Sequence, residues 1–140
     1  MKMIFKLALL LALAVVSVGV FMYFREPVNI RGEKADFQLE AYQLMAEFRR
    51  DEGIATARYV DRVLEVSGVV SELQTIGNNI NVLLTTGHKL SVVNCSFYPE
   101  EVNSVRSLHV GDKVIVKGKC TGMLDDVVLN NCSLVLYHEK

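Results

Sequence analysis

The spacing of apolar side chains takes three forms along the chain, and each predicts a different kind of element. Leu7 to Phe24 carry no charged side chain and follow a short basic start containing Lys2 and Lys6. That uncharged run, with Ile4 and Phe5 just upstream, approaches the roughly 20 residues needed to cross a hydrocarbon core of about 30 Å as a helix. From Asp36 the period becomes helical. Phe37, Ala41, Leu44, Met45 and Phe48 recur at three-to-four spacing opposite Glu40, Glu47, Arg49 and Arg50. Asp36 is the expected N-cap and Gly53 the expected stop or break, with a second short helical stretch over Ile54–Tyr59. The apolar stripe predicts packing on the following domain, with a partner-helix surface as the alternative.

Beyond Asp61 the period falls to two. Leu64, Val66, Gly68 and Val70 alternate with more polar neighbours, and the glycine inside this strand marks a bulge or sharp coil. Gly77-Asn78-Asn79 predicts a turn into a second strand at Ile80–Thr85, and Thr86-Gly87-His88 a turn into a third ending at Phe97. Pro99 stops that strand, and Glu100-Glu101 opens a short helix with Val102, Val105 and Leu108 on one face. A fourth strand, Lys113–Cys120, and a fifth, Val127–Tyr137, follow. The alternation of the fifth slips at Asn130-Asn131, which predicts a bulge. Three strands, a helix and two strands in this order form a five-stranded Greek-key OB barrel, a mainly β fold here preceded by a helical lead-in and an N-terminal transmembrane helix.

The chain therefore divides into an anchor or signal segment (1–24), a linker (25–34) rich in charge with Pro27 and Gly32, the helical lead-in (35–59), and the barrel (60–140). Lys2 and Lys6 on the leading side predict a single-pass membrane protein with a cytoplasmic N-terminus and an extracytoplasmic barrel, periplasmic in a Gram-negative cell. Phe21, Tyr23 and Phe24 suit the far interface. A cleaved signal peptide with small residues at Ser17 and Gly19 is the rival reading. The mean hydropathy of +0.27 changes nothing in this division, because much of it comes from the first 24 residues.

Several segments resemble the tRNA-anti-like OB-fold family. They are Ala55–Tyr59, Val66-Ser67-Gly68-Val69-Val70, Val93–Phe97, the run Leu108-His109-Val110-Gly111-Asp112-Lys113-Val114-Ile115-Val116-Lys117-Gly118, and Cys120 through Ser133. The resemblance covers about residues 52–136 and implies the OB fold. It implies no particular activity, since the family includes small exported or lipid-anchored bacterial proteins without an assigned one. The chain departs from lipid-anchored members in having no cysteine before Cys95.

Charge then restricts the chemistry. From Val60 onward there are 7 Lys+Arg against 9 Asp+Glu, and the only aromatic residues are Phe97, Tyr98 and Tyr137. A single-strand nucleic-acid surface needs a basic groove and stacking platforms, so nucleic acid is disfavoured as a partner. Lys113, Lys117 and Lys119 form the one basic stripe, readable as a solvated strand face. Cys95, Cys120 and Cys132 all fall on the interior face, as disulfide candidates or as buried thiols. Cys120 and Cys132 flank the last hairpin, yet a fold about Leu124-Asp125 sets Cys120 opposite Leu129. His88, His109 and His138 are isolated, so no metal or cofactor is expected, and no catalytic motif is present. The expectation is a non-catalytic binding module for a glycan, a peptide or an envelope protein. Its contacts would come from Asn78, Asn79, Asn81, Thr85, Lys89, Asn94 and Tyr98, on the face of the first three strands and its bordering loops.

Overall fold

A computed structural model of the chain describes the backbone of residues 1–23 and 30–138, with side chains except at residues 2, 5, 9, 21–23 and 136–138. The interfacial role expected of Phe21, Tyr23 and Phe24 falls outside the described residues. The first helix, α1, runs from Lys2 to Tyr23, and its described side chains, among them Leu10, Leu11, Leu13, Val16 and Val20, are exposed. Among the described residues no helix is long and apolar enough to cross a membrane. The expected transmembrane helix is therefore not shown.

The helical lead-in needs correction. Phe37–Glu40 is a strand, β1, and only then do two helices follow, α2 (Ala41–Arg50) and α3 (Glu52–Tyr59). Asp36 does not cap a helix. Its N–H donates to the Val63 carbonyl at 2.8 Å, and its carboxylate accepts from the Val63 N–H at 3.0 Å, which starts a parallel ladder in which Phe37 faces Leu64. Phe37 fits the helical period by spacing alone, but an aromatic side chain in a short extended segment packs equally well. Glu40 ends the strand and precedes α2, its N–H held by the Gln43 side-chain oxygen at 3.1 Å. The break expected at Gly53 comes two residues earlier, and Gly53 lies inside α3. Asp51 makes the break, and its carboxylate caps α3 by accepting from the Ile54 N–H at 2.9 Å.

The remaining strands are β2 (Val63–Ile76), β3 (Asn79–Thr85), β4 (Val92–Phe97), β5 (Lys113–Met123) and β6 (Val127–His138), with a short helix α4 (Val102–Val105) between β4 and β5. Hydrogen bonding runs β1-β2-β3-β4-β6-β5, and β5 returns to β2, which closes five strands into a barrel with β1 appended. Closure depends on β2, whose first half, Val63–Val69, pairs with β5 while Val70–Ile76 pairs with β3. The expected bulge at Asn130-Asn131 is present. Asn131 takes φ 55°, and the β5–β6 register shifts between Lys117 and Lys119.

The core settles what the lead-in stripe does. Ala41, Leu44, Met45 and Phe48 of α2, with Ala55 and Tyr59 of α3, are buried in one cluster with Leu64, Val66, Val82, Leu84, Val116 and Leu129. The helices belong to the domain and pack into the same core as the barrel strands. Tyr59 joins them by donating its hydroxyl proton to Glu47 at 2.7 Å, and Arg58 pairs with the same carboxylate at 3.1 Å. Leu44→Ala is expected to cost about 2–5 kcal/mol, as for a fully buried leucine, read from the denaturant midpoint. Loss within about 0.5 kcal/mol would mean that α2 is an accessory helix.

Gly118 meets a different limit. A Cβ built there would stand 2.6 Å from the Cys132 Sγ and 3.1 Å from the Leu129 Cβ. Gly118→Ala is expected to destabilise by about 1–3 kcal/mol through overpacking. In a double-mutant cycle with Cys132→Ala, part of that loss should return; strictly additive effects would show that the contact is not the cause.

Candidate ligand-binding face

The outward side chains of β2, β3 and β4 form rows fixed by register. Gln74 faces Asn81, which faces Ser96, and in the next row Glu72 faces Leu83, which faces Asn94. Thr85 and Val92 make the last row. Over the length of β3 this face spans about 20 Å at the rise of an extended strand. The three strands contain no lysine, arginine or histidine, and their only charges are Glu65 and Glu72.

Asn81 and Asn94 thus share one face, one row apart. Asn94 is half-buried, and its Oδ1 is the only buried side-chain polar atom without a hydrogen-bond partner among the described residues. Such an atom is costly unless a ligand or water donates to it. Asn78 and Asn79 sit at the exposed tip of the β2–β3 hairpin, where Gly77 supplies φ 61°. Thr85 and Lys89 are exposed at the other end. Tyr98 does not belong with them. It is buried against Ile30 and Val63, its hydroxyl accepts from the Ile30 N–H at 3.3 Å, and the Arg31 guanidinium lies 5.4 Å from its ring centre. Its position one residue past β4 turns it away from the face, which the strand alternation could not show.

At the Thr85 end the face meets an open groove of about 700 Å³, bounded by the C-terminal end of α2, the β3–β4 loop and the β5–β6 loop. Arg49 donates to the Ser91 hydroxyl at 2.5 Å, and Thr86 to the Ser91 carbonyl at 2.6 Å, which fastens the first loop. Asp126 accepts from the Val92 N–H at 2.9 Å, which fastens the second. Leu90 and Leu124 project from these loops, each 92% exposed. Neither was among the expected contacts. The signal available was a lone leucine inside each polar turn, Gly87-His88-Lys89-Leu90 and Leu124-Asp125-Asp126.

The basic stripe of β5 is largely committed within the chain. Lys117 donates to the carbonyls of Arg31 and Glu33 at 2.7 and 2.9 Å, and Lys119 pairs with Asp61 at 3.1 Å. Lys113 lines a shallow cleft of about 320 Å³ with Glu40, Ser67 and Ile115.

Cys95, Cys120 and Cys132 are all interior, as expected, and all free. Cys120 faces Leu129 across the last hairpin, and Cys132 donates to the Leu129 carbonyl at 3.4 Å. Burial pushes the Cys120 and Cys132 thiols up, the latter also through Cys95 beside it, which disfavours their thiolate forms. Among the described residues no group of three or more His, Cys, Asp or Glu is placed to hold a metal.

A closed five-stranded barrel with a short helix between its third and fourth strands and a parallel β4–β6 closure defines an OB-fold protein. The tRNA_anti-like family model matches residues 1–134, and the chain belongs to that family. It is similar to a Klebsiella pneumoniae lipoprotein provisionally named a nucleic-acid binder, at 17% identity and TM-score 0.60 over 71% of this chain and 92% of that one. It is also similar to part of a Leishmania major chain provisionally named an aspartyl-tRNA synthetase, at 12% identity and TM-score 0.50, over 76% of this chain and 22% of that one. At these identities the likeness is one of fold. No curated protein matches the chain.

Two outcomes check this geometry. Asn94→Val is expected to leave stability unchanged or raise it by about 1 kcal/mol, because it removes a buried polar atom with no partner. A clear loss in the denaturant midpoint would mean that the amide is satisfied within the fold. Stability should also fall as pH rises above the ordinary thiol range of about 8.5–9. The unfolded chain releases thiol protons there while the folded one, with raised values, retains them. Cys132→Ala should shallow that decline; an unchanged slope would assign it to other groups.

Proposed function

We propose that the chain is a non-catalytic binding module, tethered to the outer side of a membrane by α1, whose ligand is a peptide or protein of the envelope. One observation carries the choice of ligand: β2, β3 and β4 bear no basic side chain, while Lys117 and Lys119 of β5 are held by the chain's own carbonyls and by Asp61. On these three strands a phosphate backbone meets no positive side chain, and the nearest cations, Lys89 and the Arg49 and Arg50 of the groove, stand beside Asp51, Glu52 and Asp125. Glycans favour aromatic platforms, and the only aromatic in the three strands, Phe97, is buried. Exposed leucines beside amides and hydroxyls instead match the mixed apolar and polar make-up of protein contacts.

Support for the tether is the uncharged run Leu7–Phe24 together with the continuous helix Lys2–Tyr23 and its exposed apolar side chains. Nucleic acid is the second reading, favoured by the provisional name of the Klebsiella protein.

The test sets these readings against each other. Single-stranded DNA and RNA oligonucleotides are titrated onto the full chain at 50 and 200 mM salt, and a photoreactive side chain is placed at Leu90 or Asn81 in cells. We expect no oligonucleotide binding and discrete protein adducts from both positions. Saturable oligonucleotide binding that falls about a thousandfold between those salts would install the nucleic-acid reading instead. Protease digestion of a C-terminal tag in intact spheroplasts is expected; digestion only after lysis would remove the extracytoplasmic placement.

A further inference from the structure

The described chain leaves α1 at Tyr23 and is seated on the barrel again at Ile30. Ile30 is fully buried in a small cluster with Val63 and Tyr98, apart from the main core, and its N–H donates to the Tyr98 hydroxyl. Arg31 lies against the Tyr98 ring and pairs with Glu101 at 2.8 Å, with Glu100 at 3.9 Å. A short 3₁₀ turn, Ile30–Gly32, closes through the Glu33 N–H on the Ile30 carbonyl at 3.1 Å, and Lys117 clasps the carbonyls of Arg31 and Glu33. The seat therefore combines an apolar cleft, a carboxylate for the guanidinium and an ammonium for the carbonyls. A polar linker that only needed length would require none of these.

We propose that Ile30–Glu33 is a strap that limits how far the barrel can stand from the apolar helix, so that the module meets a partner held close to the membrane surface. This rests on the tethered reading given above. An extended chain spans at most about 3.5 Å per residue. The steps from Tyr23 to Ile30 allow about 25 Å on that basis. With the strap released, the first fixed point is Asp36 on β2, and the allowance grows to about 45 Å. The seat also sets which end is near. Glu100 and Glu101 lead directly into α4, whereas Leu90 lies at the far end of β4, about 20 Å away along the strand.

The test uses the full chain in phospholipid vesicles carrying a headgroup acceptor dye. A donor is attached through Asn103→Cys on α4 or Lys89→Cys on the β3–β4 loop; both positions are exposed, and the three native thiols are buried. Energy transfer is expected to be higher from position 103 than from position 89. The strap-breaking pair Ile30→Ser and Arg31→Ser should lower transfer from position 103 and bring the two labels together. Equal transfer from both labels with the strap intact, or no change when it is broken, overturns the proposal.

Trypsin cleavage after Arg31 gives a readout that needs no membrane and milder variants. The unaltered chain should resist cleavage there, and Lys117→Met or Glu101→Gln should be cut about tenfold faster or more, because each removes a contact on the seat while leaving Ile30 in place. Equal rates would mean that the segment is not strapped. Resistance at Arg31 in a chain that fails to bind vesicles would sink the tether, and with it the reach, while leaving the contact itself intact.

Discussion

The fold depends on one strand changing partners. β2 pairs with β5 through Val69 and with β3 from Val70, so it must coil sharply where the ladders meet. Gly68 stands at that point, and a Cβ there would lie 3.2 Å from the Cβ atoms of both Ala41 and Leu84. The coil thus lets β5 return to the sheet and lets α2 approach the barrel interior. Asp112 and Gly111 secure the outer side, where Val70 donates to the Asp112 carbonyl at 2.9 Å and accepts from Gly111 at 2.8 Å. Without closure the edges of β2 and β5 would be open to other strands.

Closure also decides what the surface offers. The same coil that brings β5 beside β2 lays Lys117 and Lys119 along the path of the N-terminal segment and next to Asp61. Charges that look available in the sequence become internal fastenings. The faces left to solvent are the amide- and hydroxyl-bearing rows of β2–β4 and the groove beneath Leu90 and Leu124. Burial of Tyr98 follows the same logic, since the ring supplies the apolar wall and hydroxyl that hold Ile30.

Period-two alternation over Leu64–Val70, Ile80–Thr85, Val93–Phe97, Val114–Cys120 and the final run located every barrel strand, because each buries one face and exposes the other. The slip at Asn130-Asn131 and the interior place of all three cysteines were legible for the same reason. Phe37–Glu40 was not, since four residues with two apolar positions fit a helical stripe as well as a strand, and only pairing with Leu64–Ser67 distinguishes them. Within the candidate face, Asn81 and Asn94 followed from alternation, whereas Leu90 and Leu124 looked like isolated turn residues until the two loops met at one end of the barrel.

Sequence alone determined the number and order of the barrel strands, the sign of each strand's inner face and the shortage of positive charge. These are local properties, set by side-chain type at fixed spacing. The tertiary structure decided which charges remain free, which polar atom lacks a partner and where the linker ends. Those depend on contacts between residues far apart in the chain, such as Arg31 with Glu101 and Lys117 with Glu33. Spacing carries no information about pairs that only barrel closure brings together.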